Sequence, residues 1–90
     1  MKKAVVTVLG LDKVGITAKV CTILADTNIN ILDISQSVMR EYFAMIMLAD
    51  IAALTIPFSD FVDKLSSLGR ETGLEIHTMH EDIFNTMHRI

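Results

Sequence analysis

Tryptophan is missing from this sequence, and cysteine and proline occur once each. A lone cysteine, Cys21, excludes an intramolecular disulfide framework and fits a reducing compartment. Long hydrophobic runs are also missing. None reaches the roughly 18–20 residues that a membrane-spanning helix needs. Met1-Lys-Lys leads into a strand pattern rather than an apolar signal-peptide core. Positive charge is scarce and scattered. Eight Lys and Arg stand against eleven Asp and Glu, a net charge of −3, which disfavours nucleic acid as a partner. Low-complexity segments and internal repeats are absent. What these absences leave is a cytoplasmic protein that binds neither nucleic acid nor membrane.

Apolar residues are abundant, at 51% of the chain with a mean hydropathy of +0.46. Ninety residues make one domain. A chain this short buries only roughly 60–65% of the surface its unfolded form exposes. More apolar surface than one small core can hide points to burial between copies, as a homodimer or higher homo-oligomer.

Periodicity divides the chain. Ala4–Leu9 is rich in β-branched residues and apolar on both faces, a strand that ends at Gly10. Ile16, Val20, Ile23, Leu24 and Thr27 then fall on one helical stripe, which stops at Thr27-Asn28. From Ile29 to Met39 the period returns to two. Leu32, Ile34 and Val38 share one face and Asp33, Ser35 and Ser37 the other, which predicts a strand with one buried side. Arg40-Glu41 is a short polar break before Tyr42–Ile51, again apolar on both faces, so a hairpin is expected. Pro57 opens a second amphipathic helix carrying Phe58, Phe61, Val62, Leu65 and Leu68, and Gly73 stops it. Leu74–Glu81 reads as a fourth strand. Beyond this domain of residues 1–81, a tail of residues 82–90 places Ile83, Phe84, Met87 and Ile90 at roughly helical spacing. It is expected as a short helix or an extended segment packing on the domain or a neighbour.

The order β-α-β-β-α-β predicts an α+β, ferredoxin-like sandwich, a four-stranded antiparallel sheet with two helices on one face. Its first and third strands should be central, and those are the two that are apolar on both faces. With helices on one side only, Val6, Val8, Met45 and Met47, or the residues alternating with them, are expected on an uncovered face that a second copy would bury.

One turn points toward binding. In Gly10-Leu-Asp-Lys-Val-Gly15 the glycines permit positive φ and close backbone approach, and the helix that follows offers unpaired N–H groups to an anion. Asp12 could accept from an ammonium group. A strand that must turn tightly into a helix would look the same, and spacing alone supports both readings. The turn is neither a GxGxxG fingerprint nor a P-loop.

Asp12-Lys-Val-Gly-Ile16, a helix, and Asn28-Ile-Asn-Ile-Leu-Asp-Ile-Ser-Gln36 together resemble the ACT domain, a small ligand-sensing module of amino-acid metabolism. The resemblance spans residues 3 to about 81. The ending from His80 to Ile90 is similar to that of uncharacterised stand-alone single-ACT-domain proteins, which resemble one half of the glycine cleavage system regulatory protein. What the resemblance implies is a non-enzymatic regulatory module that binds a small effector, an amino acid or a similar metabolite, at a subunit interface. The ligand-binding residues it implies are Asp12, Lys13, Val14, Gly15 and Ile16, with Asn28, Ile29 and Asn30 opposite. No cofactor is implied. The alternative is a ligand-free interaction or oligomerisation module that docks on a protein partner through its sheet edge or its tail.

Other constellations are weaker. His77 and His80, three apart on a strand, point to opposite faces, which spoils chelation with Glu81, Asp82 or His88, so no metal site is expected. Cys21 has no CxxC partner and no base beside it, and reads as a small hydrophobe. An acylphosphatase-like reaction would need an arginine in the first loop, where only Lys13 is basic. RNA binding would want aromatics along the central strands, and Tyr42 and Phe43 stand only at the start of one. No catalytic residues are expected.

Overall fold

The β-branched run Val5–Val8 lies inside a strand, β1 (Lys3–Leu11), which the computed structural model, describing residues 2–11 and 15–87, places at the centre of a sheet. After it come α1 (Ile16–Asp26), β2 (Asn30–Met39), β3 (Tyr42–Asp50), α2 (Phe58–Thr72), β4 (Glu75–His80) and α3 (Glu81–Met87). The sheet order is β2-β3-β1-β4, and β1–β3, β1–β4 and β2–β3 are all antiparallel. This is the expected ferredoxin-like α+β sandwich, with the two doubly apolar strands in the middle.

Register assigns every side chain a face, because residues directly opposite in an antiparallel pair point the same way. Val6 lies opposite Met47 and Thr78, and Val8 opposite Met45 and Ile76. Apart from half-buried Thr78, this set is buried beneath α1 and α2, with Ile16, Val20 and Leu24 from the first helix and Phe61, Leu65 and Leu68 from the second. So Val6, Val8, Met45 and Met47 face the helices, and the residues alternating with them form the other face.

The expectation of a buried side on β2 does not hold within one chain. Ile34 pairs with Met47 and Val38 with Phe43, so both point to the helix side. Yet Met47 and Phe43 are buried while Ile34 and Val38 are exposed. Two helices span only about the width of three strands, and the edge strand overhangs them. Leu32, expected on the same face, sits instead at a bulge between Ile31 and Asp33 and is exposed.

The helix ends follow from local chemistry. Pro57, at φ −56°, precedes α2, Asp60 lies in its first turn, and Gly73 closes it at φ 74°. At the end of α1, Asn28 takes φ 62°. Its N–H donates to the Ala25 carbonyl, and that of Ile29 to the Leu24 carbonyl at 2.9 Å. These two bonds make a Schellman cap, in which asparagine substitutes for the usual glycine. In the tail, α3 contacts β1 and β4, Phe84 is half-buried and Ile83 exposed.

Candidate functional site

Gly15 holds the left-handed conformation, at φ 84° and ψ 2°, immediately before α1. A side chain there would be strained by the backbone alone. Among the described residues, no heavy atom would lie within 4 Å of a carbon added at Gly15, so the space beside it is open. Among the described residues, no side chain caps the helix, and its first turn carries no acid. The leading N–H groups of an uncapped helix are the natural ligands of a carboxylate or phosphate. Ile16 follows with its side chain buried in the core, which fixes where that first turn stands. Gly10, the other glycine of the turn sequence, belongs to β1. A carbon on it would come within 2.6 Å of the Leu74 side chain, so its smallness serves packing rather than the turn. Asp12, Lys13 and Val14 lie outside the described residues.

Asn28, Ile29 and Asn30 stand elsewhere. Asn28 caps the far end of α1, and its side-chain amide donates to the Ala53 carbonyl at 3.2 Å. Ile29 is half-buried against the core. Asn30, exposed, opens β2 opposite Asp50. Thirteen positions at a helical rise of 1.5 Å separate Gly15 from Asn28 by roughly 20 Å. The strands agree. The end of β1 at Leu11 pairs with Tyr42, which pairs with Met39 at the end of β2, whereas Asn30 lies at the opposite end of the sheet. One chain therefore does not bring its two groups of nominated residues together.

Two cavities formed by the described residues lie away from Gly15 and from Asn28–Asn30. One, of about 520 Å³, runs between α1 and α2 over an apolar floor of Ile23, Ile56 and Leu68, with Asp60, Asp63 and Glu71 on its rim. The spacing of those acids along α2 is visible in sequence, but the groove itself arises from helix packing. A second, of about 350 Å³, is lined by Lys2, Lys3, His80, Glu81 and Asp82. His77 and His80 do point to opposite faces. His77 meets Glu75 at 3.3 Å on the uncovered side, and the His80 ring stacks on Phe58 with centroids 4.0 Å apart. Among the described residues, no three His, Cys, Asp or Glu side chains gather where they could hold a metal ion, and no helix is long and apolar enough to cross a membrane. His88 lies outside the described residues. Cys21 is half-buried on α1.

Comparison with known proteins agrees with the architecture. The ACT domain family model matches residues 2–79. The UPF0237 protein of Clostridium acetobutylicum is 49% identical over 88 residues, which cover 98% of this chain and 99% of that protein. Among solved structures, an ACT domain protein from Streptococcus pneumoniae superimposes with a TM-score of 0.78 at 34% identity, over 92% of this chain and 93% of that one. The ligand-free regulatory subunit of aspartate kinase from Thermus thermophilus does so with a TM-score of 0.65 at 26% identity, over 87% of this chain and 50% of that one. The chain belongs to the ACT domain family.

Proposed function

We propose that this protein is a non-enzymatic regulatory module that binds an amino acid, or a small metabolite of similar charge, between two copies of itself. The observation that carries this reading is the overhang of β2. Its edge is unpaired within the chain, and its helix-side residues Ile34 and Val38 are exposed beside buried neighbours. Two copies that pair antiparallel along β2 cover both.

Such a two-fold has a second consequence. It sets the start of one β2 against the end of the other, so Asn28–Asn30 of each protomer comes to the end of the sheet where its partner's Gly15 turn stands. The two groups that are roughly 20 Å apart in one chain then become the two walls of a single site. A zwitterion suits those walls. The uncapped start of α1 takes the carboxylate, and Asp12 and the exposed Asn30 amide supply acceptors for the ammonium group. Likeness to a regulatory subunit of aspartate kinase supports a sensing role.

The test is calorimetric titration of the proteinogenic amino acids into the wild type, Gly15→Val and Asn30→Ala. Binding should be lost in each variant. Mixing the two variants and allowing subunit exchange should restore about a quarter of the wild-type sites, because half the dimers are mixed and each carries one intact site. A mixture that stays inert despite exchange would place both walls in the same chain. No heat with any amino acid would leave the rival reading, an assembly module that docks on a protein partner, which the exposed apolar strands also suit.

A further inference from the structure

The sheet face away from α1 and α2 carries an apolar patch that edge pairing leaves open. Register places Leu9, Leu11, Met39, Tyr42 and Ile46 on this face, in successive rows of β1, β2 and β3. Each is between 48% and 64% exposed. The patch ends where α3 begins. Toward the start of β1, Val5 on the same face is buried, flanked by half-buried Leu48 and Met79, and α3 contacts that strand and β4. Around the apolar centre the face is polar, with Ser35, Ser37 and Thr7, while Asp33 stands at the β2 rim and the Glu75–His77 pair at the β4 rim. An apolar centre within a polar rim is the anatomy of a protein interface, and sheets stack face to face at about 10 Å.

We propose that this face docks a second edge-paired dimer, so that four chains assemble as two stacked eight-stranded sheets. The inference rests on the β2 pairing proposed above, and area decides the occupant. Five large side chains at half exposure offer on the order of 100 Å² each, or roughly 500 Å² per chain. Between two single chains, these apolar side chains would bury only about 1,000 Å² in total, below the roughly 1,200–2,000 Å² of stable interfaces. Pairing along β2 about an axis normal to the sheet keeps all helices on one side and brings two patches onto one surface. Two such surfaces bury about 2,000 Å², inside the stable range. Edge pairing therefore comes first, and stacking depends on it.

Sedimentation equilibrium of the full chain tests both steps separately. The wild type should sediment at four times the chain mass. Ile46→Lys and the milder Leu9→Gln, each folded by circular dichroism, should give dimers. Ile34→Lys, on the edge strand and the other face, should give monomers. A wild type that is already a dimer, unchanged by Ile46→Lys but split by Ile34→Lys, would overturn stacking and leave edge pairing intact. A dimer split by Ile46→Lys and untouched by Ile34→Lys would overturn both, making this face the sole interface. A tetramer that survives Ile46→Lys would overturn the assignment of this face.

Discussion

Asn28 shows how a single residue in this chain can satisfy two readings at once. It is one of the residues implied for ligand contact, and it also closes α1 at φ 62°, with its amide tied to the Ala53 carbonyl. Alanine pays the left-handed cost and loses that hydrogen bond, so Asn28→Ala should destabilise the fold by about 1–2 kcal/mol. Asn28→Gly keeps the backbone conformation and should cost less than about 1 kcal/mol. Urea unfolding of the two variants measures the difference. Equal losses in both would mean that the side-chain bond, not the backbone, governs this cap. The Thr78 hydroxyl is a contrasting case. It is buried opposite Val6 without a hydrogen-bond partner among the described residues. An unsatisfied buried hydroxyl costs stability that a methyl group does not, so Thr78→Val should raise the unfolding free energy by roughly 1 kcal/mol. A drop in the melting temperature of Thr78→Val would show that the hydroxyl is satisfied in solution.

At the scale of elements, β2 separates what sequence can reveal from what it cannot. Ile34 and Met47 lie directly opposite each other on the helix side, with the same apolar character. Met47→Ala should cost about 2–5 kcal/mol by opening a cavity in the core. Ile34→Ala should cost less, about 1 kcal/mol in dilute protein, because that side chain is 39% exposed and leaves no closed cavity. Comparable losses for the two in dilute urea titrations would mean that the helices reach over the edge strand. Alternation along β2 correctly sorted Ile34 and Val38 from Ser35 and Ser37. It could not show that the helix layer is narrower than the sheet, since that width depends on how α1 and α2 pack side by side. Nor could it locate Leu32, which leaves the alternation at the bulge. The central strands were easier to read, because β1 and β3 carry apolar residues on both faces, Val6 and Met47 toward the helices and Leu9 and Ile46 away from them. For the site, the glycine before α1 was legible as a turn. That Gly10 serves Leu74, and that Asn28–Asn30 stands at the other end of the sheet, are matters of long-range register that no local pattern contains.

Among its described residues the molecule exposes eight large apolar side chains on β1, β2 and β3, and one more, Ile83, on α3. A ninety-residue fold is marginal on its own, so covering those strands should contribute to its stability in solution. Stability then depends on concentration, because association draws chains out of the unfolded pool. For a dimer that unfolds to separate chains, tenfold more protein adds about 1.4 kcal/mol per dimer, or about 0.7 kcal/mol per chain. At roughly 4–8 °C per kcal/mol for a domain of this size, the melting temperature should rise by about 3–6 °C for each tenfold increase in concentration. Ile34→Lys, which removes edge pairing and with it the stacking, should melt lower than the wild type and at a temperature independent of concentration. A wild-type melting temperature that stays constant over two decades of concentration would mean that single chains bear those exposed strands without a partner. It would remove the subunit interface on which the ligand site depends.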